Sequence, residues 1–553
     1  MRAGQEGRGA EHRFARRAAP PRRDPPARPD ASTPVPTRPR ASAHARSCEG
    51  RCPPLETLMT GTPPPQHSAR FQRTLTTPKI VFIIIAAAAP LAAMVFTVPL
   101  ALAIGTGPGV PAMFLFAGLT LLCFSAGYAA IARRISHMGG FYTHIAHGLG
   151  RRAAAGAGLL AVLAYNAATV GVLGAFAYFT QSVAAAHGLD LPWQAWAGLG
   201  LLLVGMLGYR EADLSARLLS LCMVCEIAIL VALDIAILAR HGGTALPAAS
   251  FAPHAVLAPG LGVSVMFGFA SFLGFESAAL YGEEAKAPHR SVPRATVIAV
   301  LVVASFYALT SWVAVGALGP ERVRAQAADH LGDLFFRLSD GYLGNPATVT
   351  MQVLLCTSLF ASWLALHNAA NRYMYALGRD GLLPGSLHTT HTGHGSVHRA
   401  SVIQTVFSTV TVALFAAAGL DPYVNMSTSM LGLGTLGIIL LQALASVAVI
   451  GYFRHRSEGR WQTVIAPALG ALGLITAAIL VVSNFDVLTG TTDPVVTALP
   501  WLLLIVAGLG VALASWLRSA RPDRYARLGG ATAPAPPAAP VGDPSGSLSQ
   551  AAP

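Results

Sequence analysis

Charge is what this 553-residue sequence has least of: Asp, Glu, Lys and Arg make up 11% of it, whereas 53% is hydrophobic and the mean hydropathy is +0.54. So few ionisable groups cannot clothe the two or three soluble domains that the length would otherwise allow. No G-x-x-x-x-G-K-[ST] phosphate loop occurs, so nothing implies nucleotide-driven work. No metal-ligand spacing and no convincing nucleophile constellation occur either, and neither a cofactor nor an enzymatic activity is expected. The six cysteines make no disulfide framework. Cys48 and Cys52 lie in a leading tail, and Cys123, Cys222, Cys225 and Cys356 fall inside apolar runs, where Cys222-x-x-Cys225 reads as packing. The leading 75 residues lack the apolar stretch of a secretory signal.

What the sequence has in abundance is apolar segments of the length, about 20 residues, that crosses a hydrocarbon core of about 30 Å. Twelve can be counted, at about 80–104, 111–132, 153–180, 192–209, 214–239, 257–281, 293–318, 347–371, 400–419, 426–450, 461–483 and 496–517. The formal charge of +13 does not imply nucleic acid, because it is held in the tails and in short turns. Turns with Arg133, Arg134, Arg151 and Arg152, with Arg210 and Arg217, and with Lys286, Arg290 and Arg294 alternate with neutral or acidic ones bearing Asp190, Asp421, Asp486 and Asp493. The positive-inside rule then places both termini in the cytoplasm and the protein in the plasma membrane. Residues 1–75, rich in Arg and Pro, and residues 519–553 read as disordered tails around a transporter domain at 76–518. In the longest outer loop, Leu331, Leu334, Phe335 and Leu338 recur at helical spacing, which suits a helix on the outer vestibule or one lying in the headgroups.

Two spans carry breaks. The first has Pro90 and Pro99, and the sixth has Ser271, Gly274 and Glu276 within "FASFLGFESAALYGEE". Backbone that leaves helical geometry at membrane depth has to line a cavity or be buried in protein. Spans one and six correspond in two five-helix halves, 80–239 and 257–450, which predicts an inverted repeat followed by two helices at 461–517. The outer half of span one would present free N–H groups, and the outer half of span six free carbonyls. A carboxylate and an ammonium fit side by side there.

The stretch "GFESAALYGEEAKAPHRSVPRA" resembles the sixth-span signature of the amino acid/polyamine/organocation (APC) superfamily of permeases. "GYAAIARRISHMGGFYTHIAHGLGR", "GYREADLSARL" and "NAANRYMYALGRDGLLP" resemble its connections from span two to three, span four to five and the end of span eight. The resemblance implies an all-α integral membrane protein with twelve transmembrane helices, a LeuT-like 5+5 inverted repeat plus two C-terminal helices. It also implies a secondary transporter of amino acids or related amines that works by alternating access, as proton symport or exchange. A transport-inactive sensor or a channel of the same fold is the alternative. Relatives carry a small-residue G-S/A-G break before an F-x-x-P in span one. Anchored on Phe96 to Pro99, those positions here are Ala92, Ala93 and Met94, with no glycine.

The expected substrate contacts are Pro90, Ala92, Ala93 and Met94 in span one, Tyr165 and Asn166 in span three, Phe269, Ala270, Ser271, Phe272 and Gly274 in span six, and Ser358 and Ser362 in span eight. Phe269 and Phe272 are candidates for an aromatic gate. Glu226, an ionisable residue in mid-span five, either carries a coupled proton or stays protonated between helices. Glu276 either caps the inner half of span six or meets a cationic substrate group or a coupled proton. Asp234 is expected to be solvated near the outer surface. Glu283, Glu284, Lys286 and Arg290 are expected to pair in the loop after span six.

Overall fold

A computed structural model describes residues 76–135, 140–210, 216–276, 286, 288–391, 396–454, 456, 459–490 and 494–530. Among them, ten helices are long and apolar enough to cross a membrane. Trp193–Arg210 and Leu261–Ala270 fall where spans four and six are expected. The protein is an all-α membrane bundle with the LeuT-like five-plus-five arrangement and two helices beyond it. The ion pairs expected of Glu283 and Glu284 lie outside the described residues.

Burial orders the spans. Of the most apolar stretch in each, 83% is buried in span three (Arg151–Ala186) and 78% in span ten (Pro422–Phe453), against 22% in span twelve (Leu499–Ala520). Spans three and ten therefore form the centre, and they meet through small residues: Gly434 lies against Ala164 and Ala168, and Gly171 against Leu431. Lipid tails offer no hydrophobic drive to helix association, so close backbone approach has to supply the contact energy. Leu202, Leu414, Leu472 and Trp501, each at least 60% exposed, face the bilayer.

Span one is not one helix. It runs from Thr77 to Ala88, stops at Ala89, resumes at Pro90–Ala92, widens into a π-type turn over Ala93–Thr97 and ends as Val98–Ile104. Both irregularities trace to proline. The Pro90 ring disfavours right-handed helix at the residue before it, and Ala89 sits in the left-handed region at φ +46°. Pro99 has no N–H for the carbonyl four residues back, and the wide turn lies just before it. The break is thus at Ala89, whereas Ala92, Ala93 and Met94, aligned with the glycine motif of relatives, are helical. Span six ends as a helix at Ala270 and passes through a turn at Ser271–Gly274, with Gly274 at φ +97°.

Three other segments frame the site. A connecting helix, Gly140–Leu149, lies after span two and packs against spans three and ten. The helix Leu334–Leu343 buries Leu334, Phe335 and Leu338 against the bundle, so it is part of the protein fold and not a headgroup helix. The chain from 519 to 530, expected to begin a disordered tail, is instead packed: span twelve continues to Ala520, and a short helix, Pro522–Arg527, follows. Leu528 then finds a buried seat that a loose tail would leave empty.

Two tests follow from this local structure. Ala89→Gly should raise the melting temperature in detergent, since the left-handed conformation costs alanine about 1–2 kcal/mol. Ala89→Val should lower it, by about 1–3 kcal/mol of added strain. In the connecting helix, burial pushes the His144 imidazole down from 6.5 to about 4. The unfolded chain takes up that proton near pH 6.5 and the folded chain refuses it until about pH 4, so stability should fall as pH drops through this window. The loss amounts to about 3 kcal/mol at most, and melting curves of His144→Phe between pH 7 and 4 should lack it.

Candidate functional site

The two breaks face each other. Gly274 lies so close to span one that a Cβ there would sit 3.0 Å from the Ala87 side chain. The Thr97 and Ser271 hydroxyls meet at 2.9 Å, after donating to the Ala93 and Phe267 carbonyls at 2.5 and 2.8 Å. Between the breaks and spans three, eight and ten lies a small cavity. Six alanines (Ala87, Ala88, Ala89, Ala92, Ala93 and Ala270) form one wall, and Leu359, Leu366, Leu431 and Val172 form much of the other. Thr97, Ser271 and Ser362 bring the hydroxyls, and among the described residues no ionisable side chain lines it.

Ionisable groups stand just behind the lining, where they satisfy backbone freed by the breaks. Glu226 accepts the Ser358 hydroxyl at 2.7 Å and faces the Leu91 N–H at the start of the resumed helix. Glu276 accepts the Tyr165 hydroxyl at 2.6 Å and the Gly274 N–H at 3.2 Å. Tyr307 donates to the Ala88 carbonyl at 3.1 Å, and Tyr423 to the Phe96 carbonyl at 2.9 Å. The braces cross between repeats. Span eight of the second repeat supplies the hydroxyl for the carboxylate at the break of span one, and span three of the first supplies it for span six. Asp234 is also held inside: it is 5% exposed and accepts the Thr310 hydroxyl at 2.7 Å, contrary to the solvated setting expected of it.

Of the expected contacts, Ala92, Ala93, Ala270, Ser271 and Ser362 line the cavity. Pro90 starts the resumed helix beside it, and Gly274 forms the turn between the breaks. Met94 is wholly buried away from the lining. Tyr165 and Ser358 hold Glu276 and Glu226, while Asn166 donates to the Val162 carbonyl of its own helix at 2.7 Å. Phe269 and Phe272 turn away, against Phe116 and Tyr307. The aromatic cover belongs to other residues: Phe96 lines the cavity and packs on Tyr423, which stacks on Tyr178 at 4.7 Å. Phe96 and Thr97 stand one helical turn beyond Ala92 and Ala93, a spacing by which the sequence could have shown them. The leucines of spans eight and ten had no such signal.

The amino acid permease family profile matches residues 75–511. A branched-chain amino acid permease BcaP of Bacillus subtilis (strain 168) is 23% identical over 63% of this chain and 74% of its own. The BcaP of Lactococcus lactis subsp. cremoris (strain MG1363) is 25% identical over 67% and 80%. A methylthioribose transporter of Bacillus subtilis (strain 168) is 25% identical over 72% and 84%. Among solved structures, the Eremococcus coleocola manganese transporter in complex with an aromatic bis-isothiourea compound has a TM-score of 0.51 at 13% identity, covering 81% of this chain and 98% of that one, which is a likeness of fold. Matched from just ahead of span one well into span twelve, the chain belongs to the amino acid permease family and is a multi-pass membrane transporter.

Proposed function

We propose that this transporter carries small neutral amino acids with aliphatic side chains, by alternating access and together with a proton. The observation that carries this reading is a cavity at two broken helices whose walls are alanine, leucine and valine and hold no charged side chain. A zwitterion needs no counter-ion there. Its carboxylate is drawn to the N–H end of the resumed span-one helix at Pro90–Ala92, its ammonium to the carbonyl end of span six at Ala270, and its side chain to the apolar walls. The names of the two BcaP relatives support an aliphatic cargo.

Glu226 supplies the coupling in this reading. It already occupies the positive end that the substrate carboxylate would seek, through the Leu91 N–H. Two carboxylates cannot both stay ionised at one helix end without strong repulsion, so substrate binding favours the protonated form of Glu226. Protonated, the side chain still bonds to Ser358. Glu276 stands in the same relation to span six and is the second proton candidate. The face bearing the chain ends is cytoplasmic in this account, because the Arg-rich turns lie on it.

Purified protein in liposomes should take up L-leucine or L-isoleucine saturably, and an inward acid gradient should drive accumulation. Glu226→Gln should keep the fold and counterflow exchange but lose most of the pH-driven accumulation, because glutamine preserves the shape and cannot release a proton. Equal pH-driven uptake in wild type and variant would leave Glu226 only a structural role. Amino acid binding without any flux would identify a sensor of the same fold.

A further inference from the structure

The far end of the described chain is locked to the bundle by a specific tripeptide. Leu528 is 1% exposed. The Gly529 N–H donates to the Tyr142 hydroxyl at 2.7 Å, and the Gly530 N–H to Asp380 Oδ2 at 2.9 Å. Tyr142 and Asp380 are thereby brought side by side, and Asp380 also receives Arg379 Nε at 3.2 Å. Both glycines have positive φ, +88° and +74°, and a Cβ on Gly529 would strike the Ala146 side chain. Leu-Gly-Gly is therefore the sequence that this socket admits. Its walls come from two elements, the connecting helix with Tyr142 and Ala146, and the end of span eight with Asp380.

The same turn of the connecting helix also reaches the transport site. The backbone at Gly140–Phe141 lies against the Tyr373 hydroxyl, which a Cβ on Gly140 would meet at 2.8 Å. Tyr373 stacks on Tyr165 with ring centres 5.0 Å apart. The Tyr165 hydrogen is committed to Glu276, and Glu276 accepts the N–H of Gly274 at the span-six turn. Phe141 and Tyr142 are consecutive, so a shift of this turn is felt at both ends.

We infer that residues 528–530 form a latch coupled to the span-six break: the docked tripeptide holds the connecting helix against span eight, and rearrangement of span six during transport releases it. Coupling of this kind is reciprocal, because each end changes the other's equilibrium by the same factor. Spatial continuity alone does not establish it, so each end has to be perturbed and the other read.

The test is hydrogen exchange on the full-length protein in nanodiscs. Tyr165→Phe cuts the network at the site, and the latch predicts that exchange at 528–530 changes by about fivefold or more. Gly529→Val expels the tripeptide, and Tyr142→Phe, which removes one hydroxyl and keeps the packing, weakens it more gently. Both should change exchange around Gly274 in the same sense, Tyr142→Phe less. The probe ligand is L-leucine, and here alone the inference rests on the proposed substrate. Its affinity should change in Gly529→Val by the factor by which saturating leucine changes the exchange of wild-type 528–530, and by less in Tyr142→Phe. Variants that alter exchange only around their own positions would reduce the tripeptide to a static anchor and overturn the latch. Absence of leucine binding in wild type would count against the substrate reading alone, since the two exchange arms decide the latch without ligand.

Discussion

Hydrocarbon offers no partner to a backbone N–H or carbonyl, and each group left bare there costs several kcal/mol. Everything distinctive about this bundle follows from breaking two helices under that constraint. The freed groups are taken up by side chains: the Ala88 and Phe96 carbonyls by Tyr307 and Tyr423 of other spans, and the Gly274 N–H by Glu276 of its own span, while Glu226 of span five faces the Leu91 N–H. Two glutamates are thereby placed inside a membrane protein where neither lines the cavity. Their first role is to satisfy the backbone at the breaks.

The crossed arrangement of the braces matters for motion. Each break is held by a hydroxyl from a long helix of the opposite repeat, Ser358 for span one and Tyr165 for span six. Neither repeat can reshape its own broken span without pulling on the other. The Thr97–Ser271 contact also joins the two interrupted spans to each other directly.

Much of this was legible in the sequence because it rests on local chemistry. Prolines and a glycine inside apolar runs marked both breaks, and the periodic leucines before span eight marked a real helix. In span one the family motif, aligned on Phe96, points to Ala92, whereas the prolines point to Pro90, and it is Pro90 that places the irregularity on Ala89. What was hidden was long-range. Nothing in span five says that Glu226 meets Ser358, 132 residues away. Leu528-Gly529-Gly530 looked like part of a disordered tail because its glycines carry meaning only against Ala146 and Tyr142. Phe269 and Phe272 were misplaced for a similar reason, since an aromatic on an all-apolar helix gives no clue to which neighbour it faces.

The alanine wall also bears on how such a site can diversify. At Ala87, Ala88, Ala89, Ala92, Ala93 and Ala270, almost every substitution adds atoms, so mutation there can only narrow the range of cargo. Room for a bulkier molecule has to come from the opposite wall, where Leu359, Leu366, Leu431 and Phe96 still have volume to give up. For the cavity proposed to hold the cargo, shortening Leu359, Leu366, Leu431, Phe96 or Leu273 would widen the range, and enlarging the alanines would restrict it. Lineages that share this backbone would be expected to differ in cargo through their leucine side long before they touch the broken strands of span one.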